Sequence, residues 1–343
     1  MPFEPGLKRD IVYYPYKKPT LPVSAPIKRF RKRRALAILV IVIGFLSTTY
    51  PISNNSHPQK AEASTTSPTE LFSKLTEYPS SIPTKKPNIY AKTYMLIDDA
   101  SSEVIIEKDA RTPYPIASVT KMTTAQVALK ELPLDKVVEV RKSATQVIGS
   151  KINLRTGEKI TVLNLIKGLL IMSGNDAAYT LAQAYSDSDD IKPFVDKMNE
   201  FVKNLGLKDT IYDDPAGLSE VGKSTAFDQV HIARLLLRTS PLDTIVATTD
   251  ETVYSADQSI SHPLKNSNRL IRSDENLYLP GVVGVKTGFT NEAGHCLIAA
   301  YKVNDRLYIG AVLNTTESTI TASAAEMRKL FLWSNTVEFK PYF

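Results

Sequence analysis

The sequence predicts an α+β fold in which an antiparallel sheet flanked by helices is interrupted by an inserted, mostly helical subdomain. Three observations predict it. Apolar residues alternate in "IYAKTYMLIDDASSEVIIEKDA", residues 89–110; helical periodicity dominates from 161 to 238; strands then return in "GVVGVKTGF", "HCLIAAYKV" and "RLYIGAVLN". Strands, a helical block and strands again are what an insertion into a sheet looks like along a chain.

The elements follow in order. The first two runs surround the turn signal "DDASS" and read as a hairpin. Beyond it, Ser118, Met122, Ala125, Leu129 and Leu132 share one helical face, with Lys121 at its edge. "TVLNLIKGLLIM", "AAYTLAQAYS", "IKPFVDKMNEFVKNLGL" and "TAFDQVHIARLLLR" read as further helices with short polar joints. "TNEAG" and "ND" separate the three final strands, and "ASAAEMRKLFLWS" forms a last helix.

The N-terminal part reads differently. "KRFRKRR", residues 28–34, supplies much of the net charge of +6, so the rest of the chain is near neutral and nucleic acid is not an expected partner. An apolar run follows at 35–46, and the lysines and arginines before it predict a signal anchor that keeps the N-terminus cytoplasmic and the bulk of the chain outside the cell membrane. The alternative is secretion after signal cleavage. That would require an n-region 34 residues deep, and the A-x-A-like site "AEAS" at Ala61 lies well past the apolar run. The expected organisation is a basic segment at 1–34, the transmembrane anchor at 35–52, a Ser/Thr/Pro/Lys-rich linker at 53–87, the folded domain at 88–335 and a tail at 336–343. With Cys296 as the single cysteine and no histidine pair at a ligand spacing, neither a disulfide, a structural metal nor a cofactor is expected.

Three short strings could carry chemistry. In "SVTK" a lysine lies one turn from a serine; beside a core stripe its pKa falls from the usual ~10.4, and a neutral amine can accept the proton of Ser118. In "MSGNDAAY" a hydroxyl and an amide project from a joint, where Ser173 could relay a proton and Asn175 hold a substrate amide. In "GVKTGFT" alternation places Gly284, Lys286 and Gly288 on one face of a strand that an extended substrate could approach. Each string alone also reads as ordinary structure: a capped helix with a snorkelling lysine, a turn in which Asn175 or Asp176 caps a helix from Ala177, and a lysine-protected edge strand.

Order and spacing favour chemistry. S-x-x-K, S-x-N about 55 residues later and K-T-G about 110 further on resemble the penicillin-recognising serine enzymes. "DARTPYPIASVTKMTTA", "LIKGLLIMSGNDAAYTLAQ", "LGLKDTIYDDPAGL" and "GVVGVKTGFTNEAGHCLIAA" narrow the resemblance, over roughly residues 88–334, to the D-alanyl-D-alanine carboxypeptidases, the low-molecular-mass penicillin-binding proteins. The resemblance implies a DD-peptidase/β-lactamase-like fold and peptidoglycan stem peptides as substrate, with β-lactam antibiotics as covalent inhibitors. Ser118 would attack the carbonyl between the two terminal D-alanines while Lys121 takes its proton. The backbone amides of Ser118 and Phe289 would form the oxyanion hole, and Lys286 and Thr287 of the Lys286-Thr287-Gly288 string would bind the terminal carboxylate.

Two departures stand out. Many relatives carry an arginine just before the last helix that helps hold the carboxylate, and "NTTESTITASAAE" has none. The C-terminal β-rich domain and membrane-binding helix of many relatives also have no counterpart after the resemblance ends, so the N-terminal anchor is expected to tether the enzyme. A DD-endopeptidase acting on cross-links is the nearest alternative; a serine β-lactamase and a catalytically silent relative are further ones. "EFVKN" matches an E-x-x-x-N string, but Glu200 points about 160° from Met198 and is expected in solvent. His295 and Cys296, adjacent in a strand, face opposite sides and cannot form a thiol dyad.

Overall fold

The structure, a computed structural model, describes residues 77–83, 85–316 and 319–341. The basic segment, the anchor at 35–52 and most of the expected linker lie outside the described residues. Among the described residues no helix is long and apolar enough to cross a membrane.

In chain order, β1 (Glu77–Ser81), β2 (Ala91–Asp98) and β3 (Val104–Lys108) precede a single 3-10 turn, Ala117–Thr120, which runs directly into α1 (Lys121–Glu131). The helical block holds β4 (Val137–Glu139), α2 (Lys142–Thr145), β5 (Lys159–Thr161), α3 (Val162–Ile171), α4 (Asn175–Ser186), α5 (Lys192–Asn204), α6 (Ala226–Leu236) and α7 (Leu242–Ala247). It ends in the hairpin of β6 (Asp250–Tyr254) and β7 (Ser261–Lys265). β8 (Val282–Thr290), β9 (Gly294–Val303), β10 (Arg306–Thr315), α8 (Ala322–Ser334) and β11 (Glu338–Pro341) complete the chain.

β3-β2-β10-β9-β8 form one antiparallel sheet, so the strands on either side of the helical block meet in a single layer, as the strand-helix-strand pattern predicts. The sheet is covered on both faces. Met95, Ile97, Ile298, Ile309 and Ala311 pack toward the helical block, while Leu96, Leu297, Tyr301, Tyr308 and Val312 pack with Met327, Leu330 and Phe331 of α8. Two covered faces explain why these strands read as nearly continuous apolar runs. Gly310 lets α8 sit close, since a Cβ there would lie 2.7 Å from the Met327 sulfur.

Two expectations need correction. α1 is not amphipathic: residues 121–128 are all buried, because α3, α4, α5 and α6 surround the helix. Its polar side chains are bonded internally, Thr123 Oγ1 lying 2.7 Å from the Tyr212 hydroxyl and Thr124 Oγ1 donating to Pro215 O at 2.6 Å. The linker and tail are also not wholly outside the folded part, since β1 pairs antiparallel with β11. Strands of five and four residues joined across the length of the domain carry no readable periodicity, which is why the pattern missed them.

The start of β2 is tied to α8 by Glu326, fully buried, which accepts the amides of Tyr90 and Ala91 at 2.5 and 2.9 Å. Leucine at this position would leave the buried Ala91 N–H without an acceptor, at about 1–3 kcal/mol, and would also remove the bond to the more exposed Tyr90 N–H. Glu326→Leu is therefore expected to lower the unfolding free energy by about 1–3 kcal/mol in urea titration, with Glu326→Gln, which keeps one acceptor oxygen, losing less.

Candidate active site

Ser118 stands in the 3-10 turn at the head of α1, half-buried, after Ala117, whose φ of +48° is left-handed. A non-glycine residue adopts that conformation only where its surroundings impose it. Two glycines make the surroundings close enough. A Cβ at Gly217 would lie 1.9 Å from Ala117 O, and one at Gly288 would lie 2.8 Å from Ile116 O and 3.2 Å from the Ser118 nitrogen. Gly288 therefore brings β8, the edge strand, against the turn that carries the hydroxyl.

Lys121 is fully buried, not at the edge of a face. Its Nζ lies 2.6 Å from Ser118 Oγ, 2.7 Å from Asn175 Oδ1 and 2.8 Å from Ala216 O. A neutral amine has two N–H bonds and one lone pair. Donating to Asn175 and Ala216, which can only accept, leaves the lone pair aimed at the Ser118 hydroxyl. Burial pulls the amine down to about 7, against the upward pull of Asp214 and Asp176.

Those two carboxylates are occupied by backbone. Asp214 accepts the amides of Ala216, Gly217 and Ser219 at 2.7, 2.8 and 2.7 Å, fixing the loop that presents Ala216 O to the lysine. Asp176 accepts those of Ile152, Leu154 and Ala177 at 3.0, 3.0 and 2.9 Å. The sequence offers Asp176 only as a helix cap and does not point to Asp214 or to Ala216, whose carbonyl acceptor has no side-chain signature.

Ser173 precedes α4 with φ +65°. The expectation that Asn175 or Asp176 caps a helix from Ala177 is corrected: α4 begins at Asn175 and its N-cap is Gly174, while Asn175 bonds other segments and Asp176 bonds both the 152–154 segment and its own neighbour Ala177. Asn175 stands on the cavity wall and is anchored there by two bonds, each of which leaves a second N–H or lone pair on the amide. Its Oδ1 accepts from Lys121, and its Nδ2 donates to Ile148 O at 2.6 Å. The third string is more enclosed than an edge strand suggests. Lys286 is 1 % exposed and donates to Ser173 Oγ and Thr287 O, both at 2.9 Å; burial, and then the charge of Lys121, push its pKa well down. An extra residue in β8 between Val282 and Val285 takes Gly284 out of the alternation that Lys286 and Gly288 share.

Ser118, Ser173, Asn175, Thr287, Gly288 and Phe289 all line one cavity of about 690 Å³, whose wall Lys286 and Lys121 do not reach. All eight residues expected at the site are thus gathered, six on the wall and two buried amines behind it. Phe289, 56 % exposed, stacks on His295 with ring centroids 4.4 Å apart. Glu200 is solvated and pairs with Lys197 at 2.8 Å on α5, outside the cavity. Cys296 is fully buried with its thiol pushed up to about 12 by burial, so it is an inert core residue.

A family model described as D-alanyl-D-alanine carboxypeptidase matches residues 81–317, more than half of the chain. The chain belongs to the D-alanyl-D-alanine carboxypeptidase family. It is 35% identical over 233 residues to the D-alanyl-D-alanine carboxypeptidase DacF of Bacillus subtilis, covering 66% of this chain and 58% of that one, so it spans less than two thirds of that relative's length. It is 37% identical over 216 residues to a D-alanyl-D-alanine endopeptidase of Pseudomonas aeruginosa, covering 61% and 66%. The crystal structure of the Streptomyces K15 DD-transpeptidase superposes with a TM-score of 0.68 at 31% identity, covering 74% of this chain and all of that one. The relatives thus carry the names of a carboxypeptidase, an endopeptidase and a transpeptidase.

If the amine of Lys121 is the base, only its neutral form serves. Covalent labelling by a fluorescent penicillin is then expected to rise about tenfold per pH unit below about 7 and to level off above it. Ser118→Ala should abolish labelling. Lys121→Arg, permanently cationic, should slow it by ~10²–10⁴-fold while circular dichroism shows a folded chain.

Proposed function

We propose that the protein is a serine-type carboxypeptidase that removes the terminal D-alanine from peptidoglycan stem pentapeptides through an acyl-enzyme on Ser118. The observation that carries this reading is the trio of contacts to Lys121 Nζ, which leaves one lone pair and points it at one hydroxyl. The Ser118 proton passes to Lys121 as Oγ bonds to the carbonyl carbon of the penultimate D-alanine. Charge that develops on the carbonyl oxygen is met by the backbone amides of Ser118 and Phe289, which the close approach at Gly288 brings near each other. The tetrahedral centre collapses with loss of the D-alanine amine. That amine takes back a proton through Ser173, whose hydroxyl is held by Lys286. Water, deprotonated in the same way, releases the tetrapeptide and frees Ser118.

The name of the Pseudomonas aeruginosa relative supports a second reading, cleavage of D-alanyl cross-links by the same machinery. A β-lactamase reading lacks support, because Glu200 lies on the solvent face of α5 and a rapid deacylating base is not offered there. β-Lactams would act as covalent inhibitors whose acyl-enzyme persists. We further propose that the segment at 35–52 holds the domain at the outer face of the cell membrane, as its apolar run and preceding positive charge support.

Digestion of purified linear pentapeptide muropeptides and of cross-linked dimers, with products identified by mass, separates the readings. Loss of one alanine from the linear peptide with dimers left intact is the expected result. Conversion of dimers to monomers with linear peptides untouched would replace the carboxypeptidase by an endopeptidase.

A further inference from the structure

A carboxypeptidase substrate ends in a free carboxylate, and the cavity must meet that charge. Lys286, expected to do so, is enclosed and does not reach the wall. The cations that do reach it are Arg269 and Arg272, on the segment between β7 and β8. The way that segment is held decides where they point. Asn266, Asn268 and Leu270 are buried, whereas Ser267 and Arg269 are only half-buried, an alternation that turns the latter two to the cavity. The buried amides clamp it. Asn266 Nδ2 donates to Thr248 O at 2.8 Å, Asn268 Nδ2 donates to Gly284 O at 2.8 Å, and Asn266 Oδ1 accepts from the Asn268 amide at 2.9 Å.

On the cavity side Ser267 Oγ lies 2.6 Å from Thr287 Oγ1, so two hydroxyls sit together beside Arg269. The guanidinium of Arg269 is oriented by Glu275, which accepts from its Nη1 at 2.7 Å. Glu275 is in turn bonded by Arg272 Nη2, and Lys265 pairs with Asp274 at 2.6 Å, so three cations face two carboxylates and the cluster retains positive charge. Arg272 has little left to offer: its Nε faces Asp274, Nη1 donates to Asn266 O and Nη2 to Glu275. Arg269, 30 % exposed, has only Nη1 engaged among the described residues.

We propose that Arg269, held in place by Glu275, receives the substrate's terminal carboxylate together with the hydroxyls of Ser267 and Thr287, and so sets the preference for a free C-terminal acid. The assignment rests on the carboxypeptidase reading above. It also supplies the positive charge that the segment before α8 lacks. A guanidinium suits this place because its fork matches a carboxylate and its free N–H groups are already aimed by the ion pair.

The test compares two substrates on the full chain: an N-acylated peptide ending in D-Ala-D-Ala with a free acid, and the same peptide as its C-terminal carboxamide. Wild type is expected to prefer the acid. Arg269→Ala should lower kcat/KM for the acid by roughly 10–100-fold, mainly through KM, while changing the carboxamide rate by less than about twofold. Arg269→Lys should recover part of the loss, because charge returns without the fork. Equal slowing on both substrates, or an acid-to-amide ratio unchanged from wild type, would overturn the assignment and leave the carboxypeptidase reading standing. Failure of wild type to release D-alanine from the acid or D-alaninamide from the carboxamide would overturn both.

Discussion

A lysine amine with no access to water and three oxygen atoms within 2.8 Å is the constraint around which this domain is arranged. An ammonium buried there would have to recover its lost hydration from these contacts and from two carboxylates already engaged by backbone amides. The neutral amine fits the same space with each bond used once. Its three partners come from separate parts of the chain, the turn before α1, the start of α4 and the loop after Asp214, so the helical block must close before the site exists. The buried all-round packing of α1 follows from the same need, because a helix with one wet face could not keep Lys121 dry.

The sheet contributes by approach more than by side chains. β8 is an edge strand, yet its glycine lies against the nucleophile's turn, and Lys286 extends from it to Ser173. Two amines in one poorly polarisable region disfavour each other's charge, which lowers the pKa of Lys286 further. The left-handed residues Ala117 and Ser173 flank this region, the first packed closely against Gly217 and the second bonded by Lys286. Local strain at both hydroxyl-bearing joints is sustained by the rigid elements on either side.

Most of the fold was legible because the signals were local and repeated. The short apolar runs "HCLIAAYKV" and "RLYIGAVLN" and the apolar periodicity of "IKPFVDKMNEFVKN" correspond to β9, β10 and α5. The gathering of Ser118, Lys121, Ser173 and Lys286 was legible only from the order and spacing of three strings, not from any one of them. What stayed hidden depends on tertiary context. The burial of Lys121 comes from helices distant in sequence, the engagement of Asn175 comes from the carbonyl of Ile148, and the bulge that displaces Gly284 is one extra residue that alternation cannot register. Arg269 was invisible for a related reason: its orientation follows from the buried amides of Asn266 and Asn268, which as sequence read only as polar loop.

The central claim is the protonation state of Lys121, and it can be observed without any reaction. Selective carbon-13 labelling of lysine Cε, with the Lys121 resonance assigned by its disappearance in Lys121→Arg, would follow the amine directly through a pH titration. The account predicts a resonance that moves between its charged and neutral positions near pH 7. A Lys121 signal that keeps the position of a charged amine up to the ordinary ~10.4 would contradict it.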